Sequence, residues 1–500
     1  MGELLNYIVV AFAPENLLFA LAGTVIGITV GALPGFTPTM GIAILIPVTY
    51  TMDTASALLF LGAIYCGAMF GGSISAILIN TPGTSAAAAT AMDGYALTLK
   101  GRSHEALVEA AVASFWGGIL SVIALIFMAP PLARLAFQFG PQERFMMAMF
   151  GLTIIASLST KAVMKGLAMG CLGLVIGCIG MDPVMGSPRF TFGTTFLMGG
   201  IAMIPAVIGL FSVSQVFSSL KDPLKVASQD SIAKVKNSKV SAKDFVRHPL
   251  IYLSAGIIGL IIGIIPGTGG DVASYVSHNM GRFFTKDPDY GSGAREGVSW
   301  CEAANNAVTG GTLIPTLTLG VPGNATTAVL LSALTIQGLS PGYGLFTTER
   351  HITYPFICSL FIANIFMLLI GVFGAKHFAR VTLTPKNILN ACVLSLSAIG
   401  SYAIRGSVKD IFVMLIFGIL GYMLKAYKYN VVPIVLGIIL GPIAEQGLTQ
   451  AMLLNENSFG KVLLSMTTRP ICILLFLFMI ASIAIPFIME KKHQQKASSV

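Results

Sequence analysis

ILINTPGTSAAAA, residues 77–89, places Pro82-Gly83 inside an apolar stretch where an uninterrupted membrane helix has use for neither residue. Proline lacks an N–H and glycine frays a helix. The freed backbone groups are costly in lipid unless they line a protected cavity. Three further stretches repeat the pattern. GALPGFTPTMG (31–41) carries Pro34-Gly35, GIIPGTGGDVAS (263–274) carries Pro266-Gly267, and TLGVPGNATTAV (318–329) carries Pro322-Gly323. Pro34 and Pro266 are 232 residues apart, and Pro82 and Pro322 are 240 apart. Order and spacing are nearly kept between two halves. Broken helices in corresponding positions of two halves point to the binding site of a secondary transporter.

The surrounding composition agrees. The 500 residues are 55% hydrophobic and 10% charged, with a mean hydropathy of +0.83. A soluble chain carries about 25% charged residues. The expected fold is therefore an all-α integral membrane protein with two inverted structural repeats, broken helices and re-entrant hairpins. Apolar runs of spanning length lie near 17–33, 57–79, 107–130, 197–219, 249–265, 352–373, 408–424 and 469–489. With shorter or interrupted runs, the total comes to about 10–14 membrane elements. The net charge of +9 fits loop lysines and arginines on the cytoplasmic side. No soluble basic module for nucleic acid is visible. Seven scattered cysteines (Cys66, Cys171, Cys178, Cys301, Cys358, Cys392, Cys472) show no metal-ligand or disulfide spacing.

One segment reads as soluble. Residues 221–248 carry Lys221, Lys225, Lys234, Lys236, Lys239, Lys243 and Arg247 and divide the chain nearly in half. The expected organisation is a first repeat over 1–220, a basic cytoplasmic linker over 221–248, a second repeat over 249–465, and an added helix with a basic tail over 466–500. Inversion requires an odd number of crossings per half. The start, with Glu3 and Glu15 but no lysine or arginine, then lies outside, and the tail EKKHQQKASSV (490–500) inside. Leu4, Leu5, Ile8, Val9 and Phe12 fit a short interfacial helix in contact with lipid.

The breaks carry the candidate chemistry. Asn80, Thr81, Pro82, Gly83, Thr84 and Ser85 form one, and Pro322, Gly323, Asn324, Thr326 and Thr327 its counterpart. Threonine and asparagine just before a helix read as N-caps. A helix starting inside the membrane presents unpaired N–H groups and a positive dipole end, which suits a carboxylate. Two such starts facing each other across a pseudo-two-fold axis would hold a molecule with two or three carboxylates. A kink that only eases packing is the alternative. The other pair comprises Pro34, Gly35, Thr37 and Thr39, and Pro266, Gly267, Thr268, Gly269 and Asp271. Unwound carbonyls and threonine hydroxyls there suit Na⁺. Asp271 carries a proton or caps the next helix. Glu302, Asn305 and Asn306 share a helical face in an apolar region. Such groups line a path or position a hairpin. The alternative is an interfacial helix start capped by Ser299 or Glu302.

Enzyme signatures for nucleotide, zinc or serine chemistry are absent. GTGGD (267–271) lacks the glycine at 268 that an intramembrane aspartyl protease motif needs. The expectation is a non-enzyme without cofactor, driven by an ion gradient rather than ATP. A membrane-embedded enzyme or a sensor scaffold would need a catalytic constellation or an output domain.

Seven blocks, in order, carry a resemblance. They are GALPGFTPTMGIAILIPVTY (31–50), YCGAMFGGSISAILINTPGTSAAAATAMDGY (65–95), FGLTIIASL (150–158), MDPVMGSPRFTFG (181–193), GIIPGTGGDVASYVSHN (263–279), EAANNAVTGGTLIPTLTLGVPGNATTAVLL (302–331) and VVPIVLGIILGPIAE (431–445). Together they resemble the TctA family, the large membrane subunits of tripartite tricarboxylate transporters. The resemblance implies import of citrate or other organic carboxylates across the bacterial inner membrane, coupled to Na⁺ or H⁺. It implies two protein partners, a small TctB-like membrane subunit and a periplasmic TctC-like solute-binding protein, and an elevator-type movement. It places Pro82, Gly83, Thr84 and Ser85 at one hairpin tip and Pro322, Gly323, Asn324 and Thr326 at the other, with Pro34, Gly35, Pro266 and Gly267 at flanking breaks. The chain departs from the family's pattern at Phe36-Thr37-Pro38 and at Asn324, where serine is common.

Overall fold

The computed structural model describes residues 7, 9–158, 163–182, 184–221 and 241–497. Most of the basic linker (222–240) and Leu4, Leu5 and Ile8 of the expected N-terminal helix fall outside them. The first half runs α1 (Pro14–Ala32), α2 (Pro38–Leu45, continued by a 3₁₀ turn to Thr51), α3 (Thr54–Ile79), α4 (Ala87–Leu99), α5 (Ser103–Phe137), α6 (Pro141–Leu158), α7 (Val163–Gly177) and α8 (Met203–Leu220, with a π turn over Gly209–Val213). The second half runs α9 (Pro249–Ile264), α10 (Gly270–Phe284), α11 (Arg295–Leu319), α12 (Ala325–Ile336), α13 (Arg350–Ala379), α14 (Lys386–Arg405), α15 (Val408–Ala426) and α16 (Val432–Leu454). Then follow α17 (Phe459–Thr467) and α18 (Pro470–Ala497), bent by 92° between them. A two-residue hairpin, Gly180–Met181 with Pro188–Arg189, lies between α7 and α8.

The protein is all-α and polytopic. Among the described residues, seven helices are long and apolar enough to span, the α17–α18 pair passes as one broken span, and four shorter apolar helices accompany them. The stretch near 249–265 is one of those four, because Pro266 stops α9 after 16 residues. Among the described residues, Asn387–Arg405 and α16, outside the eight expected runs, also pass as spans, whereas the run near 408–424, in α15, does not.

Each half reads helix, break, helix, helix, break, helix, then a long helix and three more. The helix directions show the inversion. Tyr65 of α3 touches Thr312 of α11, and Met69 touches Asn305. Numbers rise along one helix as they fall along the other, so these counterparts are antiparallel. Ser114 and Ser121 of α5 meet Glu302 and Gly310 of α11 in parallel order. Gly62 and Phe70 of α3 meet Phe356 and Gly371 of α13 likewise. Thus α5 packs on α11 as α13 packs on α3, with the direction reversed.

In lipid, helix association depends on close packing rather than on hydrophobic burial. Glycines supply it. A Cβ on Gly23, Gly27 or Gly31 of α1 would lie 2.6, 2.4 or 2.2 Å from a carbonyl oxygen of α3. On α9, Gly259 and Gly263 face Ala304 and Gly311 of α11 in the same way. Helices α3 and α11 form the centre, buried from Ser56 to Leu78 and from Gly297 to Thr318. Both carry small and hydroxyl residues all round, as fits helices with no lipid-facing side.

Candidate functional site

The four breaks are built in two ways. After α1, Leu33 is extended, Gly35 has φ +89°, and Phe36 N donates to Leu33 O at 3.1 Å. After α9, Ile265 is extended, Gly267 has φ +84°, and Thr268 N donates to Ile265 O at 3.4 Å. Both are Pro-Gly turns in which proline presets the first central residue and only glycine accepts the second without strain. Thr37 then caps α2, accepting from Met40 N at 3.3 Å. Gly269 occupies the matching position before α10 without a side chain. Asp271 sits in the first turn of α10 and is no N-cap.

The breaks after α3 and α11 use another device. Asn80 (φ 52°) and Gly320 (φ 70°) end their helices in the left-handed conformation. Thr81 N and Val321 N reach back six positions to Ser75 O and Pro315 O, both at 3.4 Å, so that each left-handed residue folds the chain back over the last turn of its helix. Asn80 and Thr81 therefore terminate α3 and do not cap the following helix, because the chain needs two more turns before α4 begins. Thr81 Oγ1 donates to Ile79 O at 3.2 Å. The capping role falls to Thr84, whose Oγ1 accepts from Ala87 N at 3.4 Å, while Ser85 is exposed. On the other side Asn324 does cap α12. Its Oδ1 accepts from Thr327 N at 2.9 Å, and Thr327 Oγ1 accepts from Asn324 N at 3.1 Å. Asparagine and serine are both good N-caps, so the departure at Asn324 preserves the helix start.

The breaks meet in crossed pairs. Thr39 Oγ1 and Thr326 Oγ1 are hydrogen-bonded at 2.9 Å, joining the first turns of α2 and α12. Gly270, opening α10, packs beside Ala86 before α4. Sequence alone suggested that the Pro82 and Pro322 segments face each other. The structure instead joins the starts of α2 and α12, and of α10 and α4, across the halves, while parallel packing of α1 on α3 and of α9 on α11 brings the Pro34 break to the Pro82 break and the Pro266 break to the Pro322 break within each half. Gly267 N donates to Gly323 O at 2.7 Å and Gly83 N to Gly72 O at 3.3 Å, locking the Pro322 and Pro82 segments onto the helix bundle. Thr268 Oγ1 donates to Ile265 O at 2.7 Å and also to Ile262 O, closing the end of α9.

Between the pairs run the central helices. Tyr65 Oη accepts from Asn324 Nδ2 at 2.9 Å and bonds Thr312 Oγ1 at 3.2 Å, tying the α12 start to both α3 and α11. Replacing Tyr65 by phenylalanine strands a donor on Asn324. That costs about 1–3 kcal/mol if the group stays buried. Y65F is expected to unfold at lower temperature than wild type and to slow uptake; unchanged values for both would refute the clasp.

Glu302 lies in the second turn of α11, so neither it nor Ser299 caps the helix, which starts at Arg295 after Ala294. Its carboxylate is fully buried and accepts from Thr90 Oγ1 at 2.5 Å and Ser114 Oγ at 3.1 Å, with the amides of Asn306 and Asn305 at 3.4 and 3.5 Å. Thr90 and Ser114 escaped sequence reasoning because they lie 212 and 188 residues away from it in the chain. The counterparts of Glu302, Asn305 and Asn306 on α3, by the 240-residue offset, are Gly62, Tyr65 and Cys66. The inversion therefore relates backbones, and the acid belongs to one half only.

Nearby, Asp93 of α4 is fully buried. One oxygen accepts from Gly291, Gly293 and Ala294 N–H at 2.8–2.9 Å and the other faces His278 Nε2 at 2.8 Å. Glu109, also fully buried, accepts from Tyr252, Ser299 and Arg295. A cavity of about 450 Å³, within the range of small-molecule sites, adjoins the Pro322 break. It is lined by Thr318, Gly320, Val321, Pro341, Gln446 and Arg144. Outside the membrane elements, Asp182 beside the small hairpin is held below the usual carboxylate range by the N–H groups of Met185 and Val184. Among the described residues no cluster of His, Cys, Asp and Glu could hold a metal.

Two inverted halves and paired breaks around buried central helices define a multi-pass membrane protein built for transport across the bilayer. The family described as "Tripartite tricarboxylate transporter TctA family" matches residues 17–436. The chain is 36% identical over 448 residues to an "Uncharacterized 52.8 kDa protein in TAR-I ttuC' 3'region" of Agrobacterium vitis, covering 89% of each. It is 31% identical over 200 residues to an "Uncharacterized protein in TAR-II ttuC' 3'region" of the same organism, covering 40% of this chain and 83% of that one. No solved structure matches. The chain belongs to the tripartite tricarboxylate transporter TctA family, whose members are membrane components of transporters.

Proposed function

We propose that the chain imports citrate or another di- or tricarboxylate across the bacterial inner membrane by Na⁺- or H⁺-coupled secondary transport. It does so as the large subunit of a complex with a small TctB-like membrane subunit and a periplasmic TctC-like binding protein. The observation that carries this reading is the set of four interior helix starts, at Pro38, Ala87, Gly270 and Ala325. Each presents the positive dipole end of a helix inside the bundle. Backbone donors bind carboxylates without a buried arginine. Arg144, exposed on the cavity beside the Pro322 break, adds positive charge where an anion would enter. In this reading the N-terminus is periplasmic, the C-terminal tail cytoplasmic, and the break-bearing helices move as a unit against the rest.

The test is uptake of labelled citrate and a panel of di- and tricarboxylates by cells expressing the three proteins. Arms with the ion gradient collapsed and with the binding protein omitted complete it. Uptake that needs both is the expected result. Uptake without the binding protein would make the chain a stand-alone carrier or exchanger, and no carboxylate uptake by an assembled complex would refute the substrate class.

A further inference from the structure

Far from the breaks, an apolar groove opens between α5 and α9. Its cavity of about 330 Å³ is walled by Trp116, Ile119 and Ile123 on one side and by Val246, Pro249 and Leu253 on the other. Trp116, Ile119 and Ile123 are three and four residues apart and share one face of α5. On α9 the exposed residues Leu250, Leu253, Ile257 and Ile261 extend the apolar surface at helical spacing. In a polytopic protein such a face meets lipid tails, which are as apolar as leucine.

The mouth of the groove is polar and basic. A 3₁₀ turn over Ala242–Val246 leads directly into α9. Trp116 Nε1 donates to Phe245 O at 2.8 Å and so pins this turn to α5. The ring of Trp116 lies on the groove and its N–H on the turn, the placement of a tryptophan at a membrane–water boundary. Asp244 is already engaged, by Arg247 at 3.0 Å and by Arg295 at 3.2 Å. Arg247 is nearly half exposed, and among the described residues no carboxylate pairs with Lys243. Residues 231–248 hold five basic residues, Lys234, Lys236, Lys239, Lys243 and Arg247, against the single acid Asp244. Basic residues just outside a membrane helix attract anionic lipid headgroups.

We propose that this groove holds an anionic phospholipid, with one acyl chain between α5 and α9 and its phosphate at Lys243 and Arg247. Shape and charge together favour this occupant. A partner helix, about 10–12 Å across with its side chains, would cover a cleft of this volume without filling it, and an apolar one would leave the basic mouth unanswered. A lipid answers both. It ties the end of the 221–248 segment to α9, the helix that stops at Pro266. The site needs no carboxylate substrate, so its failure would leave the proposed function standing.

The test uses the full-length chain in phosphatidylcholine vesicles. Phosphatidylglycerol with brominated acyl chains replaces part of the lipid in one series, and brominated phosphatidylcholine in the other. Bromine quenches tryptophan at contact, and the chain has two, Trp116 exposed on the groove and Trp300 buried. Wild type is expected to be half-quenched by the phosphatidylglycerol at a mole fraction roughly tenfold lower than by the phosphatidylcholine. W116F should lose this component. Lys243→Ala combined with Arg247→Ala should bring the two series together, since each basic residue contributes about a fivefold preference. If the double variant does not reconstitute, raising NaCl on wild type tests the same charges and should shrink the preference. Equal quenching of wild type by both lipids, or a preference that survives the double variant or high salt, would overturn the site. So would the absence of quenching by either lipid, which would give the groove to the chain's own 222–240 segment. Loss of quenching on co-purification with the small membrane subunit would give it to that partner instead.

Discussion

Replacing Gly83 by alanine is expected to abolish uptake and lower the amount of folded protein, although only one methyl group is added. A Cβ there would lie 1.9 Å from Gly31 O and 3.0 Å from Gly72 Cα, both backbone. Overpacking commonly costs about 1–3 kcal/mol where side chains can shift. Here the α1 backbone would have to move, and α1 is already seated on α3 through Gly23, Gly27 and Gly31. At Gly323 the nearest atoms belong to the Thr312 side chain and Cα, at 2.6–2.8 Å, so G323A should be somewhat milder. Gly35 has a positive φ but more open surroundings, its nearest neighbour being Gln215 Nε2 at 3.2 Å. G35A should then cost only the left-handed strain of about 1–2 kcal/mol. Uptake and detergent-extracted yield would be measured for all three. A G83A protein with wild-type uptake, or a G35A protein more damaged than G83A, would show that the packing of the Pro82 segment is misread.

The second large effect is expected at Asp93. Asp93→Ala leaves the N–H groups of Gly291, Gly293 and Ala294 without an acceptor and His278 Nε2 without its partner. Breaking a buried charged network of this kind costs about 3–5 kcal/mol. The structural consequence is specific, because Asp93 ties α4, after the Pro82 break, to the segment that leads from α10 into α11. D93A should lower Tm markedly and speed hydrogen exchange at 291–294, while D93N, which keeps one acceptor oxygen, should fall between. Wild-type exchange at 291–294 in D93A would mean that the carboxylate is not what holds that segment.

Much of the architecture was legible in the chain. The four Pro-Gly breaks, their order and their spacing could be read directly, because proline and glycine act on the residues beside them. The antiparallel course of α3 and α11, by contrast, is seen only in contacts such as Tyr65 with Thr312 and Met69 with Asn305. The details of the breaks were also less legible. Asn80 and Asn324 both look like helix caps in one dimension. Yet Asn80 ends α3 while Asn324 begins α12, since the choice depends on how far the chain must travel to reach the next helix.

By itself the sequence determined that this is a polytopic helical membrane protein of two related halves, broken where breaks are tolerated only around a protected interior. These are local consequences of backbone chemistry and of hydropathy over about 20 residues. Which breaks meet, and what surrounds Glu302, were decided only by tertiary structure. Thr39 finds Thr326 across 287 residues, and Thr90 and Ser114 reach Glu302 across 212 and 188. Such contacts arise from glycine-mediated packing of α1 on α3, α9 on α11 and α5 on α11. A stretch of sequence specifies its own helix, but the partner that completes its hydrogen bonds is set by the whole bundle.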